Sequence, residues 1–252
     1  MSGHSKWASI KHKKAATDAK RGKLFSRLSK EITVAAKIGG GDADMNPRLR
    51  TAIAAAKNAN MPNDNIDRAI KKGTGELPGV VYEEITYEGY GPGGVGIIIE
   101  CLADNRNRAT GEVRSTLDRR GGNLASNGAV SWQFNKKGFI TIDTSAVDED
   151  TLFMIVTEAG ADDMETNEDV YEITVPVENF ETVKKALEDA GIKTNVCELT
   201  MIPSSTVKVE NEKEAAALLR LIDALEDLDD VQNVYANFDI SQELLEKLAA
   251  DN

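Results

Sequence analysis

The chain has 252 residues, of which 41% are apolar, 29% charged and 5% aromatic. That length holds one large domain or two to three small ones, and the composition is too apolar for a disordered chain and too charged for a membrane protein. Net charge is −12, yet residues 1–75 carry 16 Lys and Arg against 6 Asp and Glu, whereas residues 76–252 carry 14 against 36, so a part at +10 precedes a part at −22. Phosphate affinity depends on local charge, because counterions are released where each contact forms. The segregation therefore reads as a basic interaction module on an acidic body; the plainer alternative is a solvated basic surface without a partner.

Residues 1–16 are polar and basic with one Trp and no periodicity, the pattern of a mobile arm without the apolar core of a secretory signal. From Asp18 to about Ile38 the pattern turns helical, with Phe25, Leu28, Ile32 and Ala35 on one face. Lys20, Lys23, Arg27, Lys30 and Lys37 fall on another, within an arc of about 100° at 100° per residue. Gly39-Gly40-Gly41 ends this helix. Asn46-Pro47 opens a second, with Leu49, Ile53 and Ala56 inward. Met61-Pro62 breaks it, and Asn63 or Asp64 caps a third that carries Ile66, Ala69 and Ile70 and stops at Gly73. Thr74 to Gly79 is a linker.

The period then changes. Val81–Tyr87 and Val95–Leu102 read as strands joined by a Gly/Pro-rich hairpin loop. Asn105–Arg120 is a helix with Ala109, Val113 and Leu117 inward, and Ala129–Phe134 reads as a strand. Residues 138–202 follow the order β-α-β-β-α-β, with strands Phe139–Asp143, Asp163–Thr166, Tyr171–Val175 and Thr194–Ile202 and helices Asp148–Ala159 and Glu178–Ala190, the ferredoxin-like split motif. A strand at Thr206–Val209, a helix at Asn211–Leu228 and a strand at Val231–Phe238 make only half of such a unit. The segment Val95 to Phe134 supplies the other half.

The expected fold is thus α+β and multidomain: an N-terminal three-helix bundle followed by two ferredoxin-like α/β domains, one inserted in the other. The expected boundaries are 1–78 for arm and bundle, 79–134 plus 203–240 for a discontinuous domain, and 135–202 for an inserted acidic domain. Three consecutive domains are the competing arrangement.

Motifs of catalysis and cofactor binding fail on context. Gly91-Pro92-Gly93-Gly94-Val95-Gly96 matches G-x-G-x-x-G but leads into a strand, whereas a dinucleotide loop opens a helix. Asp42 to Asn46 starts like a calcium loop, but Pro47 replaces the required Gly and Ile53 the bidentate Glu. His4 and His12, the only histidines, are eight residues apart in the arm without companion ligands. Cys101 and Cys197 sit in apolar strand-like runs and make neither a disulfide framework nor a four-ligand zinc site. No catalytic residue, cofactor, metal, membrane or small-molecule substrate is expected, and a reducing cytoplasm fits.

The positive signals are two. Lys6, Lys11, Lys13, Lys14, Lys20, Arg21, Lys23, Arg27 and Lys30 are nine cations against a single acid, Asp18, up to residue 30. Trp7 among them fits two roles, stacking on an unpaired base or stapling the arm to the bundle. Around the helix of the middle domain stand Arg106, Arg108, Arg114, Arg119 and Arg120. Arg106, Arg108 and Arg119 are taken as phosphate contacts, with pairing to nearby acids as the alternative.

Gly3-His4-Ser5-Lys6-Trp7, Ile10-Lys11-His12, Asp18-Ala19-Lys20-Arg21-Gly22-Lys23, Asn60-Met61-Pro62-Asn63-Asp64-Asn65-Ile66 and Arg68-Ala69-Ile70-Lys71-Lys72 resemble the YebC/PmpR family. Tyr82-Glu83, Tyr87, Gly89-Tyr90-Gly91-Pro92-Gly93-Gly94 and Asp104-Asn105-Arg106-Asn107-Arg108 extend the resemblance to essentially the whole chain. It implies a non-enzymatic, cytoplasmic, three-domain protein. Members of that family are described as DNA-binding transcriptional regulators and are also linked to translation through proline-rich stretches, with mitochondrial relatives that activate translation of cytochrome c oxidase subunit I. The implied partner is nucleic acid, DNA or ribosomal RNA, with the ribosome and a protein-binding adaptor role as alternatives.

Overall fold

The structure, a computed structural model, describes residues 18–167 and 169–250. It opens with helix α1 (Asp18–Gly39), whose Ile32, Ala35 and Ala36 are fully buried while Phe25 and Leu28 pack at the margin. Gly40 ends the helix in the left-handed region (φ 86°), where a side chain is disfavoured, and its N–H bonds to the Ala36 carbonyl at 2.9 Å. Helix α2 (Pro47–Asn58) starts as Asn46-Pro47 predicts: the Asn46 side chain accepts from Leu49 N–H at 3.1 Å. The same buried amide donates to the carbonyls of Ala35 (2.8 Å) and Gly40 (2.9 Å), so one residue caps α2 and ties it to the end of α1. Helix α3 (Asn63–Gly73) has no side-chain cap, contrary to the expectation for Asn63 or Asp64; the turn forms one residue earlier, with the Pro62 carbonyl accepting from Asn65 and Ile66. At Gly73 a Cβ would lie 2.4 Å from the Thr33 carbonyl, so the crossing with α1 requires glycine there.

Strands β1 (Glu83–Tyr90) and β2 (Gly96–Ala103) form the expected hairpin, in register from Glu83↔Ala103 to Tyr90↔Gly96. Helix α4 (Arg106–Arg119) follows, capped by the Asn105 side chain, and then the short strand β3 (Asn123–Leu124). The chain next builds β4 (Phe134–Asp143), α5 (Glu149–Glu158), β5 (Asp163–Thr166), β6 (Val170–Val175), α6 (Phe180–Asp189) and β7 (Val196–Pro203). It returns through β8 (Val207–Lys208), α7 (Glu212–Glu226), β9 (Val231–Ala236), β10 (Phe238–Asp239) and α8 (Gln242–Ala250).

Contacts divide the chain into two units, residues 132–206 and the segments that flank them. Within 132–206 an antiparallel sheet of order β5-β6-β4-β7 is covered by α5 and α6, and Ile140, Ile142, Ile173, Leu152, Val183 and Leu187 are its fully buried centre.

In the flanking unit the bundle keeps its own core, and a second antiparallel sheet runs β3-β1-β2-β9. Helices α4 and α7 pack on it through Ala109, Val113, Leu117, Leu218 and Ile222. The position between β2 and β3, which in an uninterrupted split motif belongs to the strand before the second helix, is taken by β1. The strand expected at Thr206–Val209 is therefore displaced: it shrinks to β8 and pairs in parallel with β10, outside the main sheet. The strand expected at Ala129–Phe134 is absent as well. The buried Glu88 carboxylate accepts from the N–H groups of Gly128 (2.7 Å), Val130 (2.6 Å) and Ser131 (2.9 Å), which folds that stretch into a loop around a charge instead of offering it to a ladder. The strand that follows, β4, begins only at Phe134.

Candidate nucleic-acid interface

The cationic face of α1 is set by helical spacing, with Lys23, Arg27 and Lys30 at i, i+4 and i+7. All three meet the end of α7. Lys23 Nζ donates to the Asp227 carbonyl (3.1 Å) and Oδ1 (3.0 Å), and Arg27 to the Glu226 carbonyl. Lys30 Nζ donates to Asp230 Oδ1 (2.7 Å) and to the carbonyls of Asp229 (3.0 Å) and Leu102 (3.4 Å), and it stands 5.5 Å from the centre of the Tyr82 ring.

The physical reason lies in α7. Its last turn has no basic residue, and Glu226, Asp227, Asp229 and Asp230 crowd its negative end. Carboxylates there oppose the helix dipole, and three cations from α1 compensate them and donate to the carbonyls of Glu226, Asp227 and Asp229. Asp230, its side chain 5% exposed, also accepts from Arg108 at 2.7 Å. Burial pushes its carboxyl up, but hydrogen bonds from Arg108 and Lys30 and their charges outweigh burial and hold it below the ordinary range. A second link runs from Arg48 to Glu31 (2.7 Å) on α1 and Glu84 (2.6 Å) on β1, and these carboxylates, Glu31 foremost, raise the guanidinium further.

Lys6, Trp7, Lys11, Lys13 and Lys14 lie outside the described residues, and so does the side chain of Lys20. Arg21 is exposed, 5.4 Å from the centre of the Phe25 ring. On α4, Arg106 is exposed and 3.8 Å from Glu83, while Arg108 holds Asp104 and Asp230. Arg114, Arg119 and Arg120 are exposed and have no ion-pair partner among the described residues. Arg119 borders an open groove of about 480 Å³ along α4, where Asn107, Ser115 and Thr116 add donors suited to phosphate oxygens and Glu112 adds a carboxylate.

The sequence reading missed Asp230 and the run Asp227 to Asp230 as partners of the basic helix. The signal was present: acids clustered just past a helix end, where they are unfavourable, call for cations from elsewhere in the chain.

A cationic helical bundle joined by charge to a split α/β domain, itself interrupted by a second one, defines a class of multidomain α+β protein. Residues 5–76 match the TACO1/YebC protein N-terminal domain and residues 82–238 the TACO1/YebC second and third domain. The chain belongs to this family. It is 55% identical over 249 residues to a "Probable transcriptional regulatory protein" of Syntrophobacter fumaroxidans, covering 99% of this chain and all of the relative. A protein of the same description from Geobacter sulfurreducens is 59% identical over 248 residues, covering 98% of this chain and all of the relative. Among solved structures, a conserved hypothetical protein from Aquifex aeolicus superposes with a TM-score of 0.82 at 49% identity, covering 92% of this chain and 96% of that one. No helix among the described residues is long and apolar enough to cross a membrane.

Proposed function

We propose that the protein is a non-enzymatic, cytoplasmic regulator of gene expression that grips nucleic acid through its basic arm, Arg21, and the arginines of α4. The observation that carries this reading is three exposed arginines on and just after α4, Arg114, Arg119 and Arg120, none with an ion-pair partner among the described residues, of which Arg119 borders the groove, in a molecule of net charge −12. Exposed planar guanidinium groups suit phosphate forks. The names of the relatives, transcriptional regulatory proteins, support a role in gene expression.

A second reading, a ribosome-associated translation factor that helps elongation through proline-rich stretches, draws on the placement of α1. Its cationic face is turned onto α7 and is not presented as a recognition helix for a DNA major groove. RNA recognised by shape and by unpaired bases suits an arm and scattered arginines better. The three-domain division, bundle, discontinuous domain and inserted acidic domain, fits either reading, with the acidic part left to position a partner. Crosslinking in cells followed by sequencing of the attached nucleic acid tests both. Reads spread along chromosomal DNA support transcriptional control, ribosomal RNA supports translation, and recovery of neither leaves a protein adaptor in their place.

A further inference from the structure

Between the end of α1, the end of α3 and the returning linker lies a crevice of about 240 Å³ that the interface above does not use. Its apolar lining comes from Val34, Leu77, Val80 and Val81, and Tyr82 closes one side. Lys30 stands over that ring, 5.5 Å from its centre, and holds it. Lys37 and Lys72 also line the crevice, both exposed and without an ion-pair partner among the described residues. Gly75 leaves backbone bare along the wall, with nothing within 4 Å of where a side chain would begin, whereas Gly73 is covered by Thr33 and Ala36 and Gly79 by the Lys72 stem. The volume is below the roughly 300–1,000 Å³ of sites for larger organic ligands. It suits one planar ring system.

We propose that this crevice receives a single unpaired nucleobase of a single-stranded nucleic acid, packed against Tyr82 and the valines, with its flanking phosphates on Lys37 and Lys72. The inference rests on the nucleic-acid reading above and adds to it a site that distinguishes single strands from duplexes. An aromatic wall gives a base a stacking surface whatever its identity. Two lysines at an apolar slot match the anionic chain on either side of an inserted base. A duplex keeps its bases stacked and paired and presents none to the crevice.

The test is equilibrium binding of the full chain to short single-stranded RNA, single-stranded DNA and a duplex of equal length. The variants are Tyr82→Ala, Tyr82→Phe, Val81→Glu and the pair Lys37→Gln with Lys72→Gln. Tyr82→Ala is expected to weaken single-strand binding by about 5- to 150-fold and to leave duplex binding unchanged, while Tyr82→Phe keeps the wild-type affinity. Val81, 62% exposed, can be exchanged for Glu without loss of core, and the new charge should repel the strand as strongly. The lysine pair should flatten the salt dependence by about 1.4 in log–log slope. The tighter of the two single-stranded probes distinguishes RNA from DNA. Unchanged single-strand affinity in Tyr82→Ala and Val81→Glu, or an equal loss on the duplex, overturns the site. If Arg114→Gln, Arg119→Gln and Arg120→Gln together weaken binding in that case, the interface reading stands without it. If the wild-type chain binds none of the probes, both are refuted.

Discussion

Replacing Asp230 with Asn tests how the basic helix is held. The carboxylate is 5% exposed and accepts from Lys30, itself 14% exposed, and from the half-exposed Arg108, each at 2.7 Å. Removing one partner of a fully buried ion pair costs about 3–5 kcal/mol, mostly from the charge left behind. Here Lys30 keeps the carbonyls of Asp229 and Leu102, so the expected loss for this pair is about 2 kcal/mol. Because the chain has several cores, the loss should be read locally, by hydrogen exchange of the α1 amides, rather than from one global transition. In a double-mutant cycle with Lys30→Met, the coupling should exceed about 1 kcal/mol. The Asp230 carboxyl sits below its ordinary value in the folded chain. Its contribution is therefore complete above the unfolded-state value of about 4 and fades as pH falls through the lower folded value, so wild type and Asp230→Asn should converge in acid. A loss under about 0.5 kcal/mol at neutral pH, or no coupling, would refute the view that charge pairing fixes α1 to α7.

Further outcomes follow from other contacts. Glu88→Gln removes one of the acceptor oxygens that three backbone N–H groups share, and should cost about 1.5–3 kcal/mol and speed hydrogen exchange at Gly128, Val130 and Ser131. Gly138→Ala places a Cβ 2.3 Å from the Phe180 ring and should destabilise the 132–206 unit by about 1–3 kcal/mol, seen in urea unfolding, whereas Gly111→Ala, with open space around it, should not. Burial pushes the thiol of Cys101 up to about 12 and that of Cys197 to about 11. With native protein at pH 8, both should react with a thiol reagent far more slowly than in urea, and Cys197 before the buried Cys101.

Helical and strand periodicity, helix breakers and the split β-α-β order were sufficient to read the α+β class, the bundle and the insertion of one α/β domain in another. Beyond the β1–β2 hairpin, register and strand partnership were not legible, because they depend on contacts between residues far apart in sequence. Nothing local marks β1 as the strand beside β3, and Glu88 reads as an ordinary strand carboxylate although it organises a loop some 40 residues later. The basic helix was legible as a helix with a cationic face. Its partners were not: the segregation of charge that suggests an external polyanion also acts between parts of the same chain, and the acids after α7 take Lys23, Arg27 and Lys30. Charge reversal at these three positions therefore perturbs the fold itself. Arg114, Arg119 and Arg120, which have no ion-pair partner among the described residues, are the cleaner probes of binding.

The most direct test of the account is the affinity of the full chain for nucleic acid across a salt series, compared with a variant carrying Arg114→Gln, Arg119→Gln and Arg120→Gln. With about six phosphate contacts, log affinity should fall against log salt with a slope near −5 on duplex or about −4 on a single strand, and the variant should bind more weakly with a slope shallower by two to three. Absence of binding at low salt, or a variant indistinguishable from wild type, would contradict it.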